Sequence, residues 1–361
     1  MTIFRTVTVL ILALVEGASG QLPPSLSPPS APPTPAEAPT VSGGTGGFRL
    51  RTDVNLVVVE ATVRDQGGGI VNDLAQENFH IYEDGVEQQI RYFSRYELPL
   101  AIALVVDASG SMGPALRQLH RVAYDNLSAL KPDDRVALFE FAARSKLRVG
   151  LTRNRRSIAD GVADIRPGGA TVIPDALFEA ALYLAKTAPD RRHDIILVSD
   201  NENTLQGYTD EKRVIREALE SEAVIYSIQV EQEQHPHSMV VLLPIFRDVS
   251  VAKIVHETGG EVIAAKSVES IGSAMATAIS RLKERYSLSY YSTNGRLDGG
   301  FREIEIRVTD GSKDSGRRYV AYARRGYYAR TEGTSSLNPC TGPGKQLASF
   351  LLGLSFLPQG C

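Results

Sequence analysis

The stretch Ala101-Ile-Ala-Leu-Val-Val-Asp-Ala-Ser-Gly-Ser-Met112 decides the fold. Its first six residues are apolar without alternation, which predicts a strand buried on both faces, as in the centre of a parallel sheet. Polar residues follow where this strand ends, with the spacing Asp107-x-Ser109-x-Ser111. Ligands of open α/β sheets bind outside the carboxyl ends of the strands. One carboxylate and two hydroxyls at that place are oxygen donors, which hard cations such as Mg²⁺ prefer.

Two later segments complete a pattern with this stretch. Gly168-Gly-Ala-Thr171 precedes a predicted helix that opens at Asp175, and Asp194-Ile-Ile-Leu-Val-Ser-Asp200 is a second apolar strand that ends in an acid. In this order, the three segments resemble the metal-ion-dependent adhesion site of von Willebrand factor type A domains. The resemblance implies a bound Mg²⁺ or Mn²⁺ ion and five metal-binding residues: Asp107, Ser109, Ser111, Thr171 and Asp200.

Two positions depart from that family's pattern. Ala170 precedes Thr171 where the family usually has glycine, and Asn201 follows Asp200 where glycine is common. Asparagine tolerates a left-handed backbone, so we expect the turn to be kept. Glu202 could reach the ion from within the chain and weaken the site. A purely structural alternative is that these polar residues cap helices, as Asp175 could do.

Strands and helices alternate from residue 98 to residue 284, which predicts a doubly wound, mostly parallel α/β sheet with helices on both faces. The flanks, residues 48–97 and 285–330, contain short β-branched or alternating segments instead. Neither flank is large enough to fold comfortably alone. We therefore predict that the two flanks pair in one small antiparallel β module, with the α/β domain inserted between them.

The flanks carry motifs of their own. These are the valine-rich strand from Val54 to Val63, the segment Phe79-His-Ile-Tyr-Glu-Asp-Gly85 and the segment Arg325-Gly-Tyr327. Together with the central domain they resemble a bacterial family of exported proteins that carry von Willebrand factor A-related domains. The resemblance covers roughly residues 48–329.

The two ends of the chain differ from the rest in composition. Residues 1–20 contain Arg5, an apolar core and Ala18-Ser-Gly20, which predicts a signal peptide cleaved before Gln21 and export to the periplasm or the medium. The apolar core is too short for a membrane anchor. Residues 21–47 form a Pro/Ser/Gly-rich linker, and residues 331–361 form a tail. Its Cys340 and Cys361 either pair or stay free.

Several function classes are disfavoured by the sequence. A formal net charge of -3 gives no reason to expect nucleic acid or an anionic membrane as a partner. The chain contains no Gly-x-Ser-x-Gly, P-loop or His-Glu-x-x-His motif, so an enzyme is not expected. Zinc binding by His235-Pro-His237 is disfavoured, because no cysteine lies nearby.

The favoured hypothesis is an exported, non-catalytic module that recognises an Asp or Glu carboxylate of a partner protein through Mg²⁺ or Mn²⁺. One alternative is an assembly scaffold of the cell envelope whose metal site is empty or purely stabilising. A metal-assisted hydrolase that uses the same ion is the least favoured.

Overall fold

The computed structural model describes residues 56–95, 98–231, 249–309 and 318–331, which all belong to one structural unit. Five of the features predicted above lie outside the described residues: the signal peptide, the linker, Cys340, Cys361 and the His235-Pro-His237 segment. None of the helices in the described residues is both long and apolar enough to cross a lipid bilayer.

The described residues form fourteen strands and six α-helices. The strands are β1 (Leu56–Arg64), β2 (Phe79–Glu83), β3 (Val86–Gln88), β4 (Ile90–Ser94), β5 (Leu100–Asp107), β6 (Arg135–Phe141), β7 (Ser145–Thr152), β8 (Arg192–Ser199), β9 (Ala223–Val230), β10 (Val262–Ala265), β11 (Tyr286–Tyr291), β12 (Phe301–Val308), β13 (Val320–Ala323) and β14 (Gly326–Tyr328). The helices are α1 (Gly113–Ser128), α2 (Arg155–Ala163), α3 (Ile173–Thr187), α4 (Glu211–Glu220), α5 (Val251–Glu257) and α6 (Ile271–Lys283). Short 3₁₀ turns occupy Gln76–Asn78, Gly110–Met112 and Val268–Ser270.

The central sheet has the strand order β10-β9-β8-β5-β6-β7. All its neighbours are parallel except β7, which runs antiparallel to β6 at one edge. Every residue of β5 is buried, because apolar helices cover both faces of the sheet. Helices α1, α2 and α6 pack on one face, and α3, α4 and α5 pack on the other. The predicted doubly wound α/β fold is confirmed.

The two flanks pair with each other, as predicted. Strand β1 pairs antiparallel with β11, bringing Val59 opposite Leu288. Strand β2 pairs antiparallel with β12, bringing Ile81 opposite Ile306. The result is two four-stranded sheets, β13-β1-β11-β4 and β14-β12-β2-β3, each built from both flanks. Residues of both sheets bury their side chains in one common core, so the flanks form a β-sandwich.

Candidate functional site

The two acids of the predicted site lie at the same edge of the central sheet. Asp107 is the last residue of β5, and Asp200 directly follows Ser199, the last residue of β8. The two strands are parallel neighbours in which Val106 pairs with Val198. Parallel strands of matching register end together, and this places both carboxylates at the carboxyl edge of the sheet.

The two serines connect these acids. The 3₁₀ turn Gly110–Met112 follows β5 directly, so that Ser109 and Ser111 stay close to the strand end. Their Oγ atoms are 3.0 Å apart, and Ser111 Oγ donates a hydrogen bond of 2.7 Å to Asp200 Oδ2. The Ser109 backbone N–H donates to Asp107 Oδ1 at 2.8 Å. Four of the five predicted residues therefore belong to one hydrogen-bonded cluster.

Asp107 is fully buried beneath this cluster. Its second oxygen, Oδ2, accepts a hydrogen bond of 2.6 Å from Ser199 Oγ. Burial raises the pKa of Asp107 above its usual range, although hydrogen bonds from Ser199 and Ser109 lower it and the neighbouring Asp200 carboxylate raises it further. A negative charge on Asp107 is therefore costly in this environment, and a nearby cation would offset that cost.

Thr171 is buried in a loop between the other two motifs. Its N–H donates to Thr204 Oγ1 at 2.7 Å, and its carbonyl oxygen accepts from the N–H groups of Thr204 and Leu205, each at 3.0 Å. On the other side of the loop, the Gly168 N–H donates to the carbonyl of Ala108 at 2.7 Å. The loop is thus held against the end of β5 and against the segment that follows Asp200.

Asp175 does not serve as the N-cap of its own helix, the role considered from sequence. Helix α3 begins at Ile173, two residues earlier than expected, with Pro174 in the first turn. The buried Asp175 carboxylate accepts hydrogen bonds from the backbone N–H groups of Tyr208, at 3.2 Å, and Thr209, at 2.9 Å. It therefore shapes the loop that follows Asp200, a contact between distant residues that no local pattern reveals.

Three further residues support the Asp200 turn. Asn201 adopts a left-handed conformation, with φ of 63°, which confirms the expectation for an asparagine in the place of glycine. Its N–H donates to Ser199 Oγ at 3.0 Å. Asn203 Oδ1 accepts from the N–H of Ile173 at 2.9 Å, at the start of α3. The left-handed turn at Asn201 was predictable from the sequence, whereas the contacts made by Ser199 and Asn203 were not.

The described residues contain no group of three or more His, Cys, Asp and Glu side chains that could hold a metal ion. A metal site at this edge would therefore depend on serine and threonine hydroxyls as well as on its two carboxylates. Its donors are all oxygens, the ligands that Mg²⁺ and Mn²⁺ favour.

A family comparison agrees with this architecture. Residues 102–202 match the family model described as the von Willebrand factor type A domain. Over this range, the central domain has the von Willebrand factor A fold. The matched range of this von Willebrand A domain contains all five candidate residues.

Solved structures with similar folds are of low sequence identity. A von Willebrand factor type A protein from Catenulispora acidiphila is 10% identical with a TM-score of 0.44, over 78% of this chain and 75% of that one. An aerotolerance-related membrane protein from Bacteroides fragilis is 17% identical with a TM-score of 0.40, over 50% of this chain and 99% of that one. The von Willebrand factor domain of the type V pili tip protein Mfa5 from Porphyromonas gingivalis is 21% identical with a TM-score of 0.27, over 29% of this chain and 38% of that one. No curated protein sequence matches the chain.

Proposed function

We propose that the von Willebrand A domain is a non-catalytic module that binds a partner protein through Mg²⁺ or Mn²⁺. The ion would be held by Asp107, Ser109, Ser111, Thr171 and Asp200, and an Asp or Glu carboxylate of the partner would complete its coordination. When bound, the ion would supply the positive charge that attracts this carboxylate.

The spacing of the donor atoms carries the proposal. Adjacent ligands of an octahedral Mg²⁺ site, each about 2.1 Å from the ion, lie about 3 Å from each other. The Oγ atoms of Ser109 and Ser111 are 3.0 Å apart, and Ser111 Oγ is 2.7 Å from Asp200 Oδ2. These two separations, which join three oxygen donors from two separate loops, are close to those of neighbouring positions in one octahedral shell.

The charges of the site favour an external anion. Two carboxylates formally match the charge of a divalent cation. Their attraction for the ion is weaker when they also accept hydrogen bonds, and hydroxyl ligands are neutral. Asp107 in particular already accepts hydrogen bonds from Ser199 and Ser109. Ser111 is exposed, so the open side of the cluster faces solvent, where a partner carboxylate could approach. Glu202, the internal competitor considered from sequence, is exposed and donates its N–H to Asp200 Oδ1 at 3.0 Å.

Export stays part of the same proposal. It rests on the charged start, apolar core and Ala18-Ser-Gly20 segment of the sequence, all outside the described residues. An exported module would meet its partner in the periplasm or outside the cell.

Metal titration tests the proposed site directly. A ligand that binds only the folded state stabilises it by mass action, so millimolar Mg²⁺ or Mn²⁺ should raise the thermal midpoint and give a heat of binding in calorimetry. Asp107→Asn and Ser111→Ala should remove both effects, because each replaces a proposed ligand. Asp125→Ala, which removes an exposed acid of α1, should leave both unchanged. If the wild-type protein shows neither effect, the metal hypothesis is wrong and the envelope scaffold becomes the better one.

Partner binding is tested with the same variants. The immobilised wild-type protein should retain a partner from envelope extract in Mg²⁺ and release it on chelation. The Asp107→Asn protein should retain none. Retention that survives both chelation and this substitution would show that the partner binds elsewhere.

A further inference from the structure

The Asp200 turn is connected to a third strand of the central sheet by a side-chain contact. Ser227, fully buried on β9, donates a hydrogen bond from its Oγ to Asn201 Oδ1 at 2.9 Å. Strand β9 is the neighbour of β8 on the side away from β5. Asn201 is also fixed through its backbone, because its N–H donates to Ser199 Oγ. Ser199 Oγ in turn donates to Asp107. A continuous set of hydrogen bonds therefore runs from β9 through the Asp200 turn to β5.

Backbone conformation alone does not explain an asparagine at this position. Asn201 has a positive φ of 63°, a region in which glycine carries no steric cost. If Asn201 served only to form the turn, replacing it by glycine would be neutral or stabilising. The asparagine side chain adds a contact that glycine cannot make, the hydrogen bond with Ser227.

Resting on the proposed metal function, we propose that Asn201 and Ser227 are positioning residues that set the affinity of the metal site. Asp200 lies between Ser199 and Asn201 in the chain. A hydrogen bond that fixes Asn201 to β9 therefore also fixes the backbone of Asp200, from which its carboxylate extends. Its Oδ2 then stays at 2.7 Å from Ser111 Oγ. Without the Ser227 contact, the turn can rotate and the three oxygens lose their octahedral spacing.

Calorimetric titration of the full chain with Mg²⁺ and with Mn²⁺ tests this role. Outer partners of metal ligands typically change metal affinity by about 10–100-fold when they are removed. Asn201→Gly and Ser227→Ala should therefore each raise the Kd for Mg²⁺ about tenfold or more. The Kd of the double variant for Mg²⁺ should be no higher than the higher of the two single-variant values, since both substitutions break the same hydrogen bond.

The metal-free thermal midpoint separates positioning from general stability. Asn201→Gly should lower this midpoint only modestly, because glycine suits the positive φ but leaves the buried Ser227 Oγ without its acceptor in Asn201. The matched control is Asn154→Gly, which removes the side chain that caps α2 through the N–H groups of Arg156 and Ser157. We expect this control to lower the midpoint with no change in metal affinity.

Each outcome decides between defined alternatives. Metal binding by the wild type with equal affinity in Asn201→Gly and Ser227→Ala would overturn the positioning role and keep the proposed function. Additive losses in the double variant, or a loss of affinity in Asn154→Gly as well, would also overturn it. No binding by the wild type would overturn the proposed function and this inference together.

Discussion

Glu83 links two sequence motifs that lie far apart in the chain. Its carboxylate is buried and accepts hydrogen bonds from Tyr290 Oη at 2.8 Å, Ser292 Oγ at 2.6 Å and Tyr327 Oη at 3.1 Å. Glu83 belongs to the Tyr-Glu-Asp-Gly segment, and Tyr327 to the Arg-Gly-Tyr segment. The two motifs, noted separately in the sequence, are thus the two sides of one buried polar contact between the flanks.

Removing this carboxylate should destabilise the β-sandwich. Glu83→Ala removes the acceptor of the Tyr290 and Tyr327 hydroxyls and the shorter of two contacts of the Ser292 hydroxyl. Hydrogen bonds to charged groups contribute about 1.5–3 kcal/mol each. We expect a loss of at least about 3 kcal/mol in the free energy of unfolding, measured by denaturant titration. Glu87→Ala is the matched control, since the Glu87 side chain is largely exposed on β3. Equal losses in the two variants would contradict a structural role for the Glu83 contacts.

Sequence indicates residues that act through local geometry and misses those that act across the fold. The left-handed conformation of Asn201 was predictable because it depends on one residue's backbone preferences. The contacts of Ser199 with Asp107 and of Asp175 with Tyr208 were not, since they join residues 92 and 33 positions apart. Ser199 reaches Asp107 only because β8 lies next to β5 in the sheet, and the sequence around Ser199 does not indicate that strand order.

At the scale of elements, the turn after α5 allows the sandwich to approach the von Willebrand A domain closely. Gly259 has a φ of +84°, and a Cβ atom placed there would lie 2.5 Å from the carbonyl carbon of Ala323. Two residues earlier, the carbonyl oxygen of Glu257 accepts a hydrogen bond of 3.0 Å from the Arg325 N–H. The end of α5 and the chain between β13 and β14 are therefore in direct backbone contact.

A side chain at position 259 should force these elements apart. Gly259→Ala combines a left-handed backbone with a clash against backbone atoms, and such effects cost about 2–4 kcal/mol together. The expected result is a lower thermal midpoint and faster proteolysis of the chain around β13. Gly295→Ala is the control, because a Cβ there meets nothing within 4 Å. A Gly259→Ala protein as stable as this control would show that the contact is not needed.

Element types were predictable because the periodicities are strong, whereas some boundaries depend on contacts. Strands β11 (Tyr286–Tyr291) and β12 (Phe301–Val308) lie within residues 285–330, where strands were predicted. Helix α3 starts earlier than expected because Asn203, from another loop, accepts a hydrogen bond from its first N–H group. The pairing of the flanks followed from their small size. Their division between two sheets depends on which strands pair with each other, and the sequence did not indicate this.

At the scale of the whole molecule, buried ion pairs join the sandwich to the end of the central sheet that lies opposite the candidate site. Arg285, just before β11, contacts Asp194 on β8 and Glu60 on β1, the latter at 2.9 Å. Arg192, the first residue of β8, contacts Glu60 at 2.7 Å. Burial raises the pKa of Glu60, but the two arginines outweigh it and hold this pKa below its usual value. Burial of Asp194 dominates and raises its pKa.

Breaking this network should weaken the whole unit without changing the proposed metal site. Arg285→Met leaves Asp194 buried without its closest counter-charge, and removing one partner of a buried ion pair costs about 3–5 kcal/mol. Because the network includes residues of both modules, we expect calorimetry to show one unfolding transition, shifted to lower temperature, for wild type and variant alike. The proposed metal ligands lie at the other end of β5 and β8, so the Kd for Mg²⁺ should not change.

The matched control is Arg307→Met, which removes an exposed ion pair with Glu305 and should lower the free energy of unfolding by less than about 1 kcal/mol. Two separate transitions in the wild type would mean that the sandwich and the von Willebrand A domain unfold independently, and that the ion pairs do not couple them.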